Sequence, residues 1–208
     1  MKKIIAVILM LSVGILYIFP VSAADRVIRN HSFNVEDIKE LEINNSVGSI
    51  EMRISDDDEL HVEIEIESEG HGYFRRDIDV DDIDLDVRMR GDKLILTIDE
   101  NDIKADWYIE LPAINSVDID MGVGELDIEI AVSSVNIDLG VGEVNVLAPL
   151  ASTGDVEIST GVGETSIKGL DSEEHRRSFV SSKSEGRGAG DLSIDVEVGV
   201  GEVTVTLH

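Results

Sequence analysis

Carboxylates are the reactive group this chain holds in quantity: 44 Asp and Glu stand against 17 Lys and Arg in 208 residues, with five His and no Cys. Four of them recur on one motif. Gly-Val-Gly-Glu occurs at 122–125, 140–143, 161–164 and 199–202, so Glu125, Glu143, Glu164 and Glu202 each follow the same glycine pair. Oxygen ligands of this kind suit a hard cation, Ca²⁺ above all. If the repeats stack, these glutamates form a column, and Asp120 lies over Asp138 in another. Glu125, Glu143, Glu164, Glu202, Asp120 and Asp138 are therefore the candidate metal ligands, Ca²⁺ is the candidate ion, and no other cofactor is expected. Calcium-binding β-rolls differ in having a nine-residue tandem unit with Asp after the glycines. A solvated acidic surface is the competing reading, in which salt or splayed side chains relieve the repulsion between like charges on neighbouring strands.

Other chemistries find less support. Paired carboxylates cleave glycosides, but among 44 acidic residues a pair arises by chance. His31, His61, His71, His175 and His208 show no His-Glu-x-x-His spacing, and there is no Gly-x-Ser-x-Gly elbow. The glycine pairs lack the third glycine of a dinucleotide fingerprint, since Asp127 and Asn145 stand there, and no Gly-Lys-Ser/Thr follows them. No catalytic residues and no enzymatic activity are expected. Aromatic and basic groups interleave at His71–Arg76 and again at His175–Phe179. Tyr73, Phe74, Arg75, Arg76, Arg176 and Arg177 are thus candidate contacts for a carboxylate-bearing polymer or another subunit.

The elements that carry the motif read as strands. Running into the first copy, Val117, Ile119, Met121 and Val123 alternate with Asp118, Asp120 and Gly122, the period of two of a half-buried strand; after it the apolar set is Leu126, Ile128 and Ile130. The parity flips across Gly124-Glu125. A flat strand would turn its apolar face outward there, so the chain must bend. The other three copies repeat the layout: Val135, Ile137, Leu139 and Val141 run into the second, Val156, Ile158 and Val162 into the third, and Ile194, Val196, Val198 and Val200 into the fourth. An early version runs through Ser46-Val47-Gly48-Ser49, and a degenerate copy stands at Gly188-Ala189-Gly190-Asp191. Gly122, Gly124, Gly140, Gly142, Gly161, Gly163, Gly199 and Gly201 are assigned to this corner, as glycine in a strand pattern marks a bend or a close backbone approach. A strand, a corner and a second strand cannot bury an apolar face alone. The copies are expected to stack as a parallel β-solenoid, a β-helix-like all-β domain. The intervals between copies are 18, 21 and 38 residues, the last suggesting a degraded rung or an inserted loop.

Residues 1–24 have the order of a secretory signal peptide: Lys2-Lys3, an apolar run of 16 residues from Ile4 to Phe19, and Val21-Ser22-Ala23-Ala24 as a small-residue cleavage site. A signal-peptide helix is expected there, with an uncleaved membrane anchor as the lesser reading. Residues 25–208 then form the solenoid domain, with a loop insertion at 171–190 and a second loop at 67–77. The protein is expected to be secreted, periplasmic or at the cell surface. Loss of Lys2 and Lys3 moves the formal charge from −27 to −29, which argues against nucleic acid and anionic membrane surfaces as partners. Envelope components, or self-association through solenoid ends left uncapped after the last strand, are the partners expected. The N-terminal strands are the alternative cap.

The passage Tyr108-Ile109-Glu110-Leu111-Pro112, followed by Val117 to Leu126 and its repeats, resembles the β-strand-repeat "putative adhesin" family of exported prokaryotic proteins, over roughly Ile43 to Leu207. The resemblance implies a β-solenoid whose rungs carry a Gly-x-Gly-Asp/Glu corner, and a structural or adhesive role in the cell envelope without catalytic residues. This chain uses Glu where Asp is common. A cation-dependent binding or envelope-sensing module is the alternative function.

Overall fold

The computed structural model describes residues 26–68, 79–98, 100, 102–170, 173–177 and 181–208. The expected signal peptide and the cluster from Tyr73 to Arg76 lie outside them. Among the described residues, twelve strands join one mixed sheet, and the rest of the regular structure is a 3-10 turn at Val80–Asp82. In chain order they are β1 (Arg26–Asn34), β2 (Glu40–Ile54), β3 (Glu59–Ser68), β4 (Asp86–Arg90), β5 (Lys93–Ile98), β6 (Ile103–Leu111), β7 (Ser116–Glu129), β8 (Ser134–Ala148), β9 (Thr153–Lys168), β10 (Glu173–Arg177), β11 (Ser182–Arg187) and β12 (Leu192–Leu207).

The motif-bearing strands are the long ones. β2, β7, β8, β9 and β12 each run through a glycine corner as one strand with two arms, and they pair in parallel with the corners in register. The alternating apolar residues of both arms point into one core. On the first arm one row runs Leu96, Ile43, Ile119, Ile137, Val196, Ile158; on the second, Trp107, Ile50, Leu126, Val144, Val203, Thr165. Burying one such aliphatic side chain is worth about 1.5–3 kcal/mol, which is why strands so acidic on their outer face still stack.

The order of the strands in space departs from their order in sequence. The path is β2, β7, β8, β12, β9, so the last strand of the chain lies between β8 and β9 rather than at an end. Backbone hydrogen bonds hold it there: Leu150 donates to His208 O (2.9 Å), His208 to Ala148 O (3.1 Å) and Leu192 to Ser152 O (3.1 Å). The connection from β8 to β9 is thereby fastened to both ends of β12. The 38-residue interval holds no further parallel rung among the described residues; β10 and β11 form an antiparallel hairpin that pairs with the first arm of β9. Segment 171–190, read as a loop, therefore contains two strands. Gly188-Ala189-Gly190-Asp191 is a turn leading into β12, where Gly188 donates to Gly154 O (2.8 Å) and Gly190 to Thr153 O (2.9 Å), and not a corner.

A further rung was hidden in the irregular region. β5 pairs in parallel with the first arm of β2 and β6 with its second arm, so together they make one two-armed unit whose corner is opened. Three steps of β2, from Asn45 to Gly48, face seven from Ile98 to Ala105. The antiparallel strands β3 and β1 extend the sheet beyond β6, and β4 extends it beyond β5.

Candidate functional site

The corner is where the repeat concentrates its chemistry. Register places Gly48, Gly124, Gly142, Gly201 and Gly163 in one column, and Ser46, Gly122, Gly140, Gly199 and Gly161 in another. At Gly142 the reason for glycine is plain. Its φ is +151°, and a Cβ there would lie 1.7 Å from the carbonyl oxygen of Gly124 on the next strand. Ser46 takes the equivalent of a first corner glycine because the outer neighbour of β2 at that point is the interruption between β5 and β6.

Between the glycine columns runs a column of valines. Val123, Val141, Val162 and Val200 are 46–47% exposed. The alternation had assigned them to the core face; the bend turns them outward instead, and the buried sequence passes from Met121 directly to Leu126. Beside them lies the glutamate column. Glu125 faces Glu143, Glu143 faces Glu202 and Glu202 faces Glu164, with Ser49 and then Asp106 continuing the line beyond Glu125. A groove of about 610 Å³ follows this line, floored by Gly48, Gly124, Gly142 and Gly201 and walled by Glu125, Glu143 and Glu202. Its lining continues to Asp106, which accepts from Ser49 Oγ (2.7 Å) and pairs with Lys104.

A second acidic row crosses the outer face of the first arms. Glu42, Asp118, Asn136, Asp195, Glu157 and Glu185 are successive neighbours. A lysine sits at each end. Lys93 reaches Asp118 at 2.8 Å, Glu42 at 3.3 Å and Glu40 at 3.5 Å, and the hydrogen bond it donates to Asp118 raises its pKa. Lys183 donates to Glu157 at 2.6 Å and lies 2.9 Å from Glu185, whose carboxylates raise its pKa in turn. Asp195 stands between the two ends. Partial burial first, and then the charges of Glu157, Asp138 and Glu197, push its carboxyl above the ordinary aspartate value. Asp120 pairs across to Asp138, as expected, and Asp138 continues to Glu197.

Of the candidate metal ligands, the structure thus aligns Glu125, Glu143, Glu202 and Glu164 in one column and Asp120 and Asp138 in another. Among the described residues, no group of three or more His, Asp or Glu side chains converges on a position that could hold a metal ion. Aligned side chains one strand apart lie about 4.8 Å from one another and share a direction, whereas ligands must point at a common centre. Arg176 and Arg177 lie in β10, at the edge of the sheet.

The structure also joins residues that no motif had linked. Ser32 Oγ lies 3.0 Å from His61 Nδ1, and His61 Nε2 lies 3.1 Å from Asp57 Oδ2. Hydrogen bonds from the Glu59 backbone, Ser55 and His61 lower the Asp57 pKa. The order Ser-His-Asp is that of a nucleophile relay, but the side chain of Asp57 is 60% exposed, and none of the described residues excludes water from a reacting group there. Its partners are brought together by the pairing of Ser32 with His61 across β1 and β3, which sequence spacing alone does not reveal.

No protein-family model matches the chain, and no curated protein matches it. Among solved structures it is similar to a "putative cell adhesion protein" of Clostridium sporogenes, at 15% identity over 89% of this chain and 100% of the other, with a TM-score of 0.45. A "putative adhesin" of Bacteroides fragilis is similar at 12% identity over 86% and 97%, with a TM-score of 0.31. One from Parabacteroides merdae is similar at 8% over 68% and 61%, with a TM-score of 0.28. Among the described residues, no helix is long and apolar enough to cross a membrane.

Proposed function

We propose that the protein is a non-enzymatic structural or adhesive module of the cell envelope, a β-solenoid of two-armed rungs that presents a rigid acidic surface. The observation that carries the reading is the corner: four identical Gly-Val-Gly-Glu units in register set a glycine-floored groove beside an unbroken line of glutamates. A repeated, predominantly acidic surface suits contact with an extended polymer through many equal subsites. With a formal charge of −27 over the full chain, that polymer would be cationic or would bear exposed amines, and binding would weaken steeply with salt. The signal-like order of residues 1–24 supports an exported location, and the resemblance of the repeats to the adhesin family supports the envelope role.

The reading is tested by measuring retention of the purified protein on isolated cell envelopes and on immobilised polylysine, against a neutral dextran control. Binding to the first two that falls as salt rises, and that drops in a Glu125→Gln, Glu143→Gln, Glu202→Gln triple variant of unchanged circular dichroism, is the expected result. Equal retention of the triple variant would remove the corner groove from the account.

A further inference from the structure

The corner valines of the three central rungs are apolar without serving the core. Val123, Val141 and Val200 face one another across β7, β8 and β12, are 46–47% exposed, and none belongs to the buried cluster. Threonine has the same β-branched preference for a strand and would be solvated there, yet all four Gly-Val-Gly-Glu copies hold valine. Glycine precedes and follows each one, so the three form a ridge of methyl groups with no side chain beside it along the strand. Single exposed apolar residues are ordinary, whereas an aligned row marks a contact surface. Beyond the glycines a column of carboxylates runs along each flank. Asp120, Asp138 and Glu197 face one another on one side, and Glu125, Glu143 and Glu202 on the other. All six are exposed, and none forms an ion pair with a described residue. The acidic row next to the first column differs, since Lys93 and Lys183 neutralise its ends. A groove of about 610 Å³ follows the glutamate flank, and a hollow of about 420 Å³ reaches Asp120 and Gly122 on the other.

We propose that these three rungs bind a β-1,4-linked glycan of 2-amino sugars with free amines, lying along the ridge and across the strands. The inference rests on the reading of the protein as a binder of amine-bearing polymers, and it names the polymer. Three properties of such a chain match the surface. Its sugar rings present C–H faces that lie against the valine methyl groups. It advances by close to one strand spacing, about 4.8 Å, with each sugar. Each sugar is also turned over relative to the one before, so the amines alternate between the two edges of the chain, and successive ammonium groups meet the Asp120 column and the Glu125 column in turn. Like charges facing one another on neighbouring strands are destabilising, and the bound amines relieve both columns at once. A lysine-rich peptide carries the same charge on long flexible stems but has no apolar face to set on the ridge.

The test is titration calorimetry of the purified protein with a β-1,4-linked glucosamine oligomer, its N-acetylated counterpart and polylysine, at a mildly acidic pH that keeps the amines protonated and the carboxylates ionised. The wild type binds the glucosamine oligomer, less tightly as salt rises, and does not bind the N-acetylated one. A Val123→Ser, Val141→Ser, Val200→Ser variant binds the glucosamine oligomer roughly tenfold more weakly and polylysine as the wild type does. An Asp120→Asn, Asp138→Asn, Glu197→Gln variant, which keeps the glutamate column, also loses roughly tenfold for the oligomer. Circular dichroism shows that each variant is folded. Should the valine variant not fold, the second variant decides, because removing like charges from neighbouring strands does not threaten the sheet. Equal binding of the N-acetylated oligomer, or an affinity for the glucosamine oligomer unchanged in either folded variant, would overturn the proposal. Binding of polylysine without binding of the glucosamine oligomer would overturn it and leave the wider reading standing, whereas binding of neither would remove both.

Discussion

Gly142 and Gly91 both have positive φ, +151° and +70°, yet they should respond to substitution very differently. A side chain at Gly142 would meet the Gly124 carbonyl, while a Cβ at Gly91 has nothing within 4 Å. Gly142→Val should therefore cost about 2–5 kcal/mol, since backbone strain and overpacking add, and Gly91→Asn about 1 kcal/mol or less, because Asn tolerates the left-handed region. Urea unfolding of the two variants checks both. Asp195 makes a prediction in pH. Its carboxyl is raised above the ordinary value, so its ionised form costs stability in the fold: the cost is present in full above the raised folded-state pKa and gone below the unfolded-state value. Asp195→Asn should stabilise by about 0.2–1 kcal/mol at neutral pH, the worth of a like-charge cross-strand contact, and the gain should vanish as the pH falls towards that of free aspartate. Thermal melts of both proteins at neutral and acidic pH measure it. Asn136, two neighbours along from Glu157 in the same row, is already such a neutral residue.

At the scale of the strand, the parity change across Gly-Glu made the two-armed unit readable, and the recurrence of that change made parallel stacking readable. What could not be read is adjacency. Val196 is as good a neighbour for Ile137 as for Ile158, and it has both; nothing in the local pattern of β12 says that it enters between β8 and β9. The split rung escaped for a related reason: Leu94, Leu96 and Ile98 alternate as the other first arms do, but without a glycine corner no signal joined them to β6. The exposed valines were misassigned because alternation was carried through the bend that ends it. The position of β12 predicts an asymmetry in truncation. Removing Leu192–Leu207 takes out a strand paired on both sides and should abolish the cooperative fold, whereas removing β1, which among the described residues pairs only with β3, should lower the melting temperature and leave the transition cooperative. Far-ultraviolet circular dichroism with heating distinguishes the two.

For the molecule as a whole, charge sets stability without dictating the fold. Each like-charge neighbour costs about 0.2–1 kcal/mol against about 1.5–3 kcal/mol for each buried aliphatic side chain, so the stack stands but should be firmer in salt. The melting temperature is expected to rise with ionic strength and to be the same in millimolar calcium as in chelator once ionic strength is matched. A calcium-specific rise would restore Glu125, Glu143, Glu164 and Glu202 as ligands. The Ser32, His61 and Asp57 chain is expected to hydrolyse p-nitrophenyl acetate no faster than its Ser32→Ala variant does. The carboxylate columns were legible from the repeat alone; the Ser-His-Asp contact was not, because it depends on the register of β1 against β3, which no spacing in the sequence encodes.

The place of β12 also has a meaning in time. In a stack whose strands follow one another in order, a chain emerging from a pore could add each rung to the last and fold as it appears. Here β8 and β9 each have an edge reserved for a segment that emerges after both of them, since Leu192–Leu207 pairs with both. The gap between β8 and β9 is filled only once β12 has emerged. A polypeptide built this way can be threaded through β8 and β9 before the pairing that joins them is made.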